Sequence, residues 1–358
     1  MMLYKVLSRL DKSYYSSIVI SITDDNYFEE NLKSINIPVV YLKMTRAPIS
    51  IIRGLKILYN CCQKFQPNII QGWMYHGNLL ATLYGKITIN NRFRVIWNIR
   101  HCVYDLKYEK KITNIFIRLG AYLSIFPDKI IYNSKISLYQ HNKLGYCQKR
   151  TSIIPNGFDM EKFNSNKHYY ISVRNELGLS SGALIVGLIA RFHPMKDHFT
   201  FLKSAAQISR KLSGVYFVLT GKDVNKNNIL LSNFIKKQGL SEKVYLLDER
   251  NDIPRLIASF DILALSSITE AFPNVIGEAM SSCVPCVATD VGDVKWIIKH
   301  TGIIVPKNNA LALANGIDTI LALRAKDRIN LGKRARSRVS DKFEIENIIK
   351  KYQLEYMS

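Results

Sequence analysis

Short apolar runs alternate with longer amphipathic stretches from one end of the chain to the other. The runs predict β-strands, and the stretches between them predict helices. Most runs are continuously apolar rather than alternating, which is typical of strands buried on both faces of a parallel sheet. The predicted strands cover residues 17–23, 39–42, 68–72, 95–100, 129–133, 152–155, 184–190, 216–221, 244–247, 262–266, 285–289 and 303–306.

The predicted strands divide into two groups of six, which indicates an α/β protein with two doubly wound domains. The boundary falls where an apolar strand ends in the turn residues Pro-Asn-Gly at 155–157, ahead of a polar stretch at 161–167. The predicted parts are a first domain at 1–160, a second domain at 161–335 and a charged helical segment at 336–358.

The amount and distribution of apolar residues indicate which kinds of protein the chain can be. With 358 residues, 47% of them hydrophobic, the chain can build substantial cores. No window reaches about 18 uninterrupted apolar residues, and the N-terminal sequence lacks the long apolar core of a signal peptide. We therefore expect a cytoplasmic protein that neither spans a membrane nor is exported.

The formal charge of +22 implies an anionic partner, such as nucleic acid, anionic lipid or a phosphorylated substrate. Residues 1–160 hold 22 basic and 9 acidic side chains, so this part is more basic per residue than the rest. Between 107 and 126 the basic side chains are interleaved with aromatic ones, which on a helix suits a membrane interface. A solvated basic face fits the same pattern.

Two glutamates carry the strongest candidate site. Glu270 is predicted in the loop after the strand at 262–266, and Glu278 about one turn into the following helix. Ligands of doubly wound sheets bind at this edge, and two carboxylates there can accept hydrogen bonds from the vicinal hydroxyls of a sugar or ribose. The helix would open with unpaired backbone amides that suit phosphate or sugar oxygens, those of Asn274, Val275 and Ile276. An ordinary loop with an exposed helix charge is the alternative interpretation.

A second constellation follows the first strand of the second domain. Arg191 and Lys196 are five residues apart in one loop at a strand's carboxyl end. They are well placed to neutralise a diphosphate, the arginine through its planar fork and the lysine as a point charge. Ordinary solubilising charges on an exposed loop would have the same spacing.

Histidines and cysteines give little support for a metal site. His193 and His198 have no recognisable third ligand nearby. Cys283 and Cys286 form one C-x-x-C pair without a second, where a buried strand begins. We expect no bound metal, and cysteines that stay reduced.

Taken in order, these motifs resemble those of glycosyltransferase family 4, the retaining GT-B enzymes whose signature is a Glu, seven residues and a second Glu. The resemblance covers nearly all the chain and is strongest from 150 to 306. It rests on the stretches 154–159, 187–197, Gly221, 248–254, 270–278 and 284–292.

The resemblance implies two Rossmann-like domains facing a central cleft, with the donor bound mainly by the second. Arg191 and Lys196 would bind the donor diphosphate, and Glu278 the ribose hydroxyls. Basic side chains and helix N-termini would stabilise the departing diphosphate, so neither a metal nor a cofactor is implied.

Further donor-side roles follow from the same resemblance. Glu270, with Phe272 and the backbone of 272–275, would orient the transferred sugar. Arg250 would lie beside the nucleobase, and Gly221 falls among the matching donor-side motifs.

In the first domain, two loops after predicted strands carry histidines. Family members place a histidine in corresponding loops, so His101, and less directly His76, would contact the sugar or the reaction centre. Trp73 and Asn78 flank His76 and would lie on the acceptor side. The alternative is that both histidines cap strands in an aromatic neighbourhood. Because the departing diphosphate is thought to accept the acceptor's proton, no separate base is required.

One feature departs from the family. Members usually open with a strand and a Gly-Gly loop ahead of the helix that residues 2–10 represent, and both are absent from this sequence. Either the start codon is assigned late, or the first domain is altered and its activity is in doubt.

The resulting hypothesis is a retaining hexosyltransferase that uses a UDP- or GDP-sugar and a lipid-linked or saccharide acceptor. It would serve lipopolysaccharide or capsule synthesis as a peripheral protein on the inner face of the cytoplasmic membrane. A hinge near 157–165 would close the cleft, and 336–358 would return toward the first domain. The alternative is a non-catalytic glycosyltransferase-like scaffold or partner subunit. No G-x-G-x-x-G follows a predicted strand, which disfavours a nicotinamide enzyme, and no nucleic-acid reading module is recognisable.

Overall fold

The computed structural model describes residues 2–24, 29–87 and 93–358, which form two compact units. Unit 1 comprises Met1–Gly157 and Glu346–Ser358, and unit 2 comprises Phe158–Ile345. The chain therefore enters and leaves unit 2 once each. The sequence placed these boundaries near 160 and 335, so the segment from 336 to 345 lies in unit 2 instead.

All twelve predicted strands are confirmed, each within two residues of its expected ends. In unit 1 the strands are β1 (Val19–Ser21), β2 (Val39–Tyr41), β3 (Ile69–Trp73), β4 (Arg94–Ile99), β5 (Lys129–Tyr132) and β6 (Thr151–Ile153). The helices between them are α1 (Met2–Leu7), α2 (Glu29–Ser34), α3 (Pro48–Phe65), α4 (Met74–Ile87), α5 (Lys111–Leu123) and α6 (Lys135–Lys143), with a 3-10 turn at Leu106–Tyr108.

Unit 2 repeats the alternation of strands and helices. Its strands are β7 (Leu184–Ile189), β8 (Val215–Thr220), β9 (Val244–Leu246), β10 (Ile262–Leu265), β11 (Cys286–Thr289) and β12 (Ile303–Val305). Its helices are α7 (Lys167–Glu176), α8 (His198–Ser209), α9 (Ile229–Lys237), α10 (Ile253–Ser259), α11 (Asn274–Ser281), α12 (Val294–Ile298), α13 (Ala310–Leu321) and α14 (Ala325–Phe343), with a 3-10 turn at Pro194–Lys196. Helix α15 (Ile345–Met357) joins unit 1 from Glu346 onward.

The sheet of unit 2 has the order β12-β11-β10-β7-β8-β9, and all its strands are parallel. Strands β7, β8, β10 and β11 are buried on both faces, as their continuous apolar runs predict. The strand order reverses between β7 and β10, which are hydrogen-bonded neighbours. The loops that follow these two strands therefore leave the sheet side by side, at the point where doubly wound sheets bind ligands.

In unit 1 the strands form two parallel sheets, β1-β2 and β3-β4-β5-β6. In unit 2, β7 lies between the pair β8-β9 and the series β10-β11-β12. Among the residues described for unit 1, no strand fills the equivalent position between β1 and β3.

The charged C-terminal segment is two helices rather than one. Glu344 is extended (φ −57°, ψ 138°), and the chain there runs beside Phe158. The Phe158 amide donates to Phe343 O at 2.8 Å, and the Ile345 amide donates to Phe158 O at 3.0 Å. These two bonds take backbone groups that a continuous helix would use, so α14 ends at Phe343.

Helix α15 packs on the sheet of unit 1. Its Tyr352 is fully buried and accepts a hydrogen bond from Asn98 Nδ2 at 3.0 Å, while Tyr356 donates to Gln71 Oε1 at 2.7 Å. Glu355 adds an ion pair to Lys129 at 3.0 Å. Of the helices that the structure describes, none has both the length and the apolar content to cross a membrane.

A buried ion pair anchors the amino end of the unit 2 sheet. The Arg174 side chain is 1% exposed, and its Nη2 lies 2.7 Å from Asp261 Oδ2. Four further hydrogen bonds at 2.9–3.1 Å join its guanidinium to the carbonyls of Tyr170, Ala183 and Ser259. Asp261 Oδ2 also accepts the Ile185 amide at 2.9 Å. The pair therefore ties α7 to the starts of β7 and β10.

Candidate functional site

The two loops that carry the predicted donor residues are bonded to each other. The Ile268 amide, after β10, donates to Met195 O at 2.9 Å, and Ser266 Oγ donates to Lys196 O at 2.9 Å. This contact follows from the pairing of β7 with β10, because the carboxyl ends of parallel neighbours meet at one edge. The 191–196 and 270–278 regions thus share one edge of unit 2.

The centre of this edge is an ion pair between Lys196 and Glu270. Lys196 Nζ lies 2.5 Å from Glu270 Oε1, with the two side chains 26% and 13% exposed. Ser267 Oγ donates to the same oxygen at 2.7 Å. Within the described part of the chain no donor contacts Oε2, so one carboxylate oxygen is anchored while the other can accept from a ligand hydroxyl.

Backbone contacts fix the loop that carries Glu270. Thr289 Oγ1 donates to Ser267 O at 2.7 Å, and the Asp293 amide donates to Ala271 O at 3.0 Å. Gly292 has φ +54°, and a Cβ there would lie 2.3 Å from Glu270 O. Only glycine fits this backbone and this approach.

We expect Gly292→Ala to lower the free energy of unfolding by about 1–3 kcal/mol and to displace the Glu270 loop. The matched control is Gly178→Ala, because Gly178 has φ +66° but a Cβ added there would meet nothing within 4 Å. Urea unfolding and donor binding of both variants test this. Equal losses in stability, with donor binding intact in both, would show that contact with the Glu270 loop has no effect.

Gly221 has a similar role beside Arg191. With φ +146°, a Cβ on Gly221 would lie 2.3 Å from Ala190 O. The Phe192 amide donates to Lys222 O at 2.8 Å, which holds the loop after β8 against the loop after β7. The Arg191 side chain is exposed at this junction, and it forms no ion pair with any of the described residues.

Helix α11 begins at Asn274, and no side chain caps its N-terminus. The expectation of three unpaired amides is wrong for Ile276, whose amide donates to Pro273 O at 3.3 Å in a tight first turn. Glu278 is half-buried, one turn after Asn274 on the same helix face. Phe272 is 5% exposed and packs in an aromatic core, so only its backbone can face a ligand.

The Arg250 guanidinium is bonded to carboxylates of the protein and is not available to a ligand in this arrangement. Its Nε and Nη2 each lie 2.8 Å from an oxygen of Asp252, and its Nη1 lies 3.0 Å from Glu176. Arg255 binds the same two carboxylates. The hydrogen bonds from Arg250 hold the pKa of Asp252 well below its usual range. Arg250 therefore joins α7 to the loop after β9, and the structure adds nothing to the nucleobase prediction.

The predicted residues of unit 1 lie at the carboxyl ends of β3 and β4. His101 Nε2 is 2.7 Å from Glu109 Oε1, and its ring meets Tyr75 edge-on at 6.0 Å. His76 is exposed, with its ring centroid 4.2 Å from that of Phe116. Partial shielding of the ring from solvent lowers the pKa of His76.

Asn78 does not face a ligand surface. It is 1% exposed, and its Oδ1 accepts the Asn98 amide at 3.2 Å, which holds α4 against β4. Trp73 stacks on Tyr352 at 6.4 Å, with the Arg100 guanidinium 5.4 Å from its ring centre. The burial of Asn78 is at odds with its predicted contact with an acceptor. Trp73 is only half-buried, so its predicted acceptor contact is compatible with its exposure.

Four residues of the unit 2 edge were not singled out from the sequence. Ser266, Ser267 and Thr289 fix the loops, and Lys307 brings its Nζ within 3.5 Å of Ile268 O. Lys307 lies two residues after the end of β12, so its position just after a strand could have been used to predict it. The sequence gave no signal for the three hydroxyl residues, because their hydrogen bonds depend on which loops lie next to each other in the fold.

His193 and His198, which lie between β7 and the start of α8, form hydrogen bonds with nearby backbone groups. His193 Nδ1 accepts the Met195 amide at 3.2 Å, and His198 Nε2 lies 3.2 Å from Ala190 O. Burial lowers the pKa of His198 to about 4. Across the described ranges, no group of three or more His, Cys, Asp or Glu could hold a metal ion.

Comparison with known proteins finds similarity to glycosyltransferases. Residues 171–338 match the family model described as glycosyl transferases group 1. The UDP-Gal:alpha-D-GlcNAc-diphosphoundecaprenol alpha-1,3-galactosyltransferase of Escherichia coli is 24% identical over 321 residues, 84% of this chain and 79% of that enzyme. The N-acetyl-alpha-D-glucosaminyl L-malate synthase of Bacillus anthracis is 27% identical over 186 residues, 51% of this chain, and the match spans only 48% of that relative.

Solved structures extend the likeness to nearly the whole fold. HepE of Anabaena, crystallised in complex with UDP and glucose, has a TM-score of 0.84 at 21% identity and covers 99% of this chain and 95% of its own. Sucrose-phosphate synthase of Thermosynechococcus elongatus has a TM-score of 0.81 at 19% identity, with 99% and 91% covered. The chain thus has the GT-B fold, with two Rossmann-like domains, and residues 171–338 within it match the group 1 glycosyltransferases.

Proposed function

We propose that this chain is a retaining glycosyltransferase of family 4 that binds a nucleotide-sugar at the carboxyl ends of β7 and β10. The observation that carries the proposal is the ion pair of Lys196 with Glu270, which joins the two loops at the switch point of the sheet. A cation and a carboxylate held together there match the two halves of the ligand, an anionic diphosphate and a polyhydroxylated sugar.

The proposed donor complex assigns one task to each group. Lys196 and the exposed Arg191 neutralise the diphosphate, together with the amide end of α11. Glu270 accepts hydrogen bonds from sugar hydroxyls through its second oxygen, and Glu278 accepts them from the ribose. Binding the donor would draw Lys196 toward the phosphates and leave Ser267 to hold Glu270 in place.

Transfer then proceeds on one face of the sugar. The bond from the anomeric carbon to the diphosphate oxygen breaks, and a bond from that carbon to the acceptor oxygen forms on the same side. The acceptor's proton passes to the departing diphosphate oxygen. Fixed cations stabilise the charge that develops there, which is the main protein contribution to the rate.

For the first domain we propose that His101 contacts the sugar or the reacting atoms, and that His76 and Trp73 bind the acceptor. The His101 ring is held by Glu109, which fixes the orientation a contact residue requires. To contact the nucleobase of the donor, Arg250 would have to give up a hydrogen bond to Asp252 or Glu176.

We propose a UDP-sugar as donor, with a GDP-sugar as the alternative, and a lipid-linked saccharide as acceptor in surface polysaccharide synthesis. The names of the relatives support this choice, since HepE was crystallised with UDP and the E. coli enzyme uses UDP-Gal and a diphosphoundecaprenol-linked acceptor. A peripheral location on the inner membrane face follows from such an acceptor.

A thermal-shift assay tests donor binding. With a UDP-sugar at about 100 times its Kd, we expect stabilisation of about 2.7 kcal/mol and a rise of roughly 5–10 °C in the apparent Tm. GDP- and ADP-sugars identify the base, uridine without phosphate is the ligand control, and Glu278→Ala should abolish the shift while staying folded.

A non-catalytic partner subunit would show neither a shift nor hydrolysis of any nucleotide-sugar. A retained shift in Glu278→Ala would instead contradict only the ribose assignment.

A further inference from the structure

Helix α5 is fixed to unit 1 by one face. Ile117 is fully buried, and Tyr146 donates its hydroxyl hydrogen to Ile117 O at 2.9 Å. A Cβ on Gly120 would lie 2.3 Å from the Tyr146 hydroxyl oxygen, so the helix packs closely here. These contacts set the rotation of α5 about its own axis and therefore which side chains face outward.

The outward face is apolar. Ile112, Ile115, Leu119 and Tyr122 are 42%, 62%, 43% and 79% exposed. Their spacing of three, four and three residues places them in one stripe along the helix. Ile125 and Phe126, 62% and 40% exposed, continue the apolar surface past the end of the helix. An amphipathic helix of a globular protein normally turns such a stripe toward the core.

Positive charge flanks this stripe without opposing charge. Residues 110–126 hold Lys110, Lys111 and Arg118 and no acidic side chain. All three basic residues are exposed, and at 100° per residue Lys111 and Arg118 lie along one edge of the stripe. Arg118 Nε donates to Asn114 Oδ1 at 2.8 Å, which holds its stem along the helix.

We propose that α5 docks on an anionic lipid bilayer, with the apolar stripe among the acyl chains and the three basic residues at the headgroup phosphates. Apolar side chains bordered by Lys and Arg are the pattern of helices that lie in a membrane interface. A second copy of the chain fits less well, because a symmetric contact through α5 would bring like charges together. The proposal rests on the proposed function only for the acceptor: it specifies the surface by which an enzyme with a membrane-held acceptor reaches its substrate, and it uses no donor-site residue.

Vesicle sedimentation of the full chain tests the proposal. We expect binding to phosphatidylcholine vesicles that contain phosphatidylglycerol, and weaker binding to phosphatidylcholine alone. The triple variant Ile115→Ser, Leu119→Ser, Tyr122→Ser should lose about tenfold or more in affinity. Replacing Lys110, Lys111 and Arg118 by glutamine should cost about fivefold per charge, on the anionic vesicles only.

The matched control is Ile229→Ser with Leu230→Ser on α9, since these side chains are 72% and 69% exposed in unit 2. It should bind as wild type does. Wild-type protein that stays in the supernatant, or a triple variant that binds equally well, would overturn the proposal. So would a wild-type dimer in light scattering that the triple variant converts to monomer. The donor-induced thermal shift should be unchanged in every variant, which separates this proposal from the proposed function.

Discussion

Lys196→Ala is expected to lower kcat/KM for sugar transfer by about 10²–10³-fold. The substitution removes a cation from the proposed diphosphate site and also the 2.5 Å partner of Glu270, whose side chain is only 13% exposed. Loss of charge stabilisation should lower kcat, and the freed Glu270 should weaken donor binding. Release of UDP from a UDP-sugar, measured at saturating acceptor, separates the two effects.

Lys203→Ala is the matched control for this experiment. Lys203 is exposed on α8 in the same unit, so its removal changes the net charge equally without altering the site. Lys196→Arg keeps the charge but changes its geometry and should retain part of the activity. If Lys196→Ala stays within about threefold of wild type, Lys196 does not contact the reacting diphosphate.

Arg174→Met should lower the free energy of unfolding by about 3–5 kcal/mol, the largest effect on stability that we expect. Among the described residues, the variant would leave the buried Asp261 carboxylate with only the more distant Arg328, at 3.6 Å, as a cationic partner. It would also leave the carbonyls of Ala183 and Ser259 without their donor. Urea unfolding measures the change, and Arg210→Met, at an exposed position, is the control.

The same variant has a predictable pH dependence. Burial raises the pKa of Asp261, and removal of Arg174 would raise it further. A carboxyl whose folded-state pKa lies above its unfolded value favours folding at low pH, where it is protonated, and this contribution is lost as the pH rises through the folded pKa. The deficit of Arg174→Met relative to wild type should therefore be smaller at about pH 5 than at about pH 8. A deficit that does not change with pH would show that Asp261 stays charged in the variant.

The positions of the strands could be predicted because the physics that fixes them is local. Each strand is a short apolar run bounded by turn residues. Because the strands are buried on both faces, they lack the alternation of apolar and polar residues that is typical of strands with one exposed face. The assignment of 336–358 as one segment was less successful. The break at Glu344 depends on hydrogen bonds to Phe158, almost two hundred residues earlier in the sequence.

The arrangement of the proposed donor site could be predicted in part for a similar reason. Arg191, Lys196 and Glu270 each follow a strand, and parallel topology brings strand ends together whatever the loops contain. The roles of neighbouring residues required coordinates. Arg250 has the same charge as Arg191, but Asp252 and Glu176 surround it. Asn78 has the chemistry of a ligand contact, but it is packed in the core of α4 and β4.

Because α15 packs on β3, β4 and β5, unit 1 is assembled from both ends of the numbered sequence. During synthesis, unit 2 can acquire its whole hydrophobic core while the sheet of unit 1 still lacks the cover that Tyr352 provides. Tyr352 must be synthesised before the residues of unit 1 that precede Phe158 can complete their packing. We therefore expect a fragment ending at Gly157 to lack part of its packing, and a fragment that spans Phe158–Ile345 to keep its whole hydrophobic core.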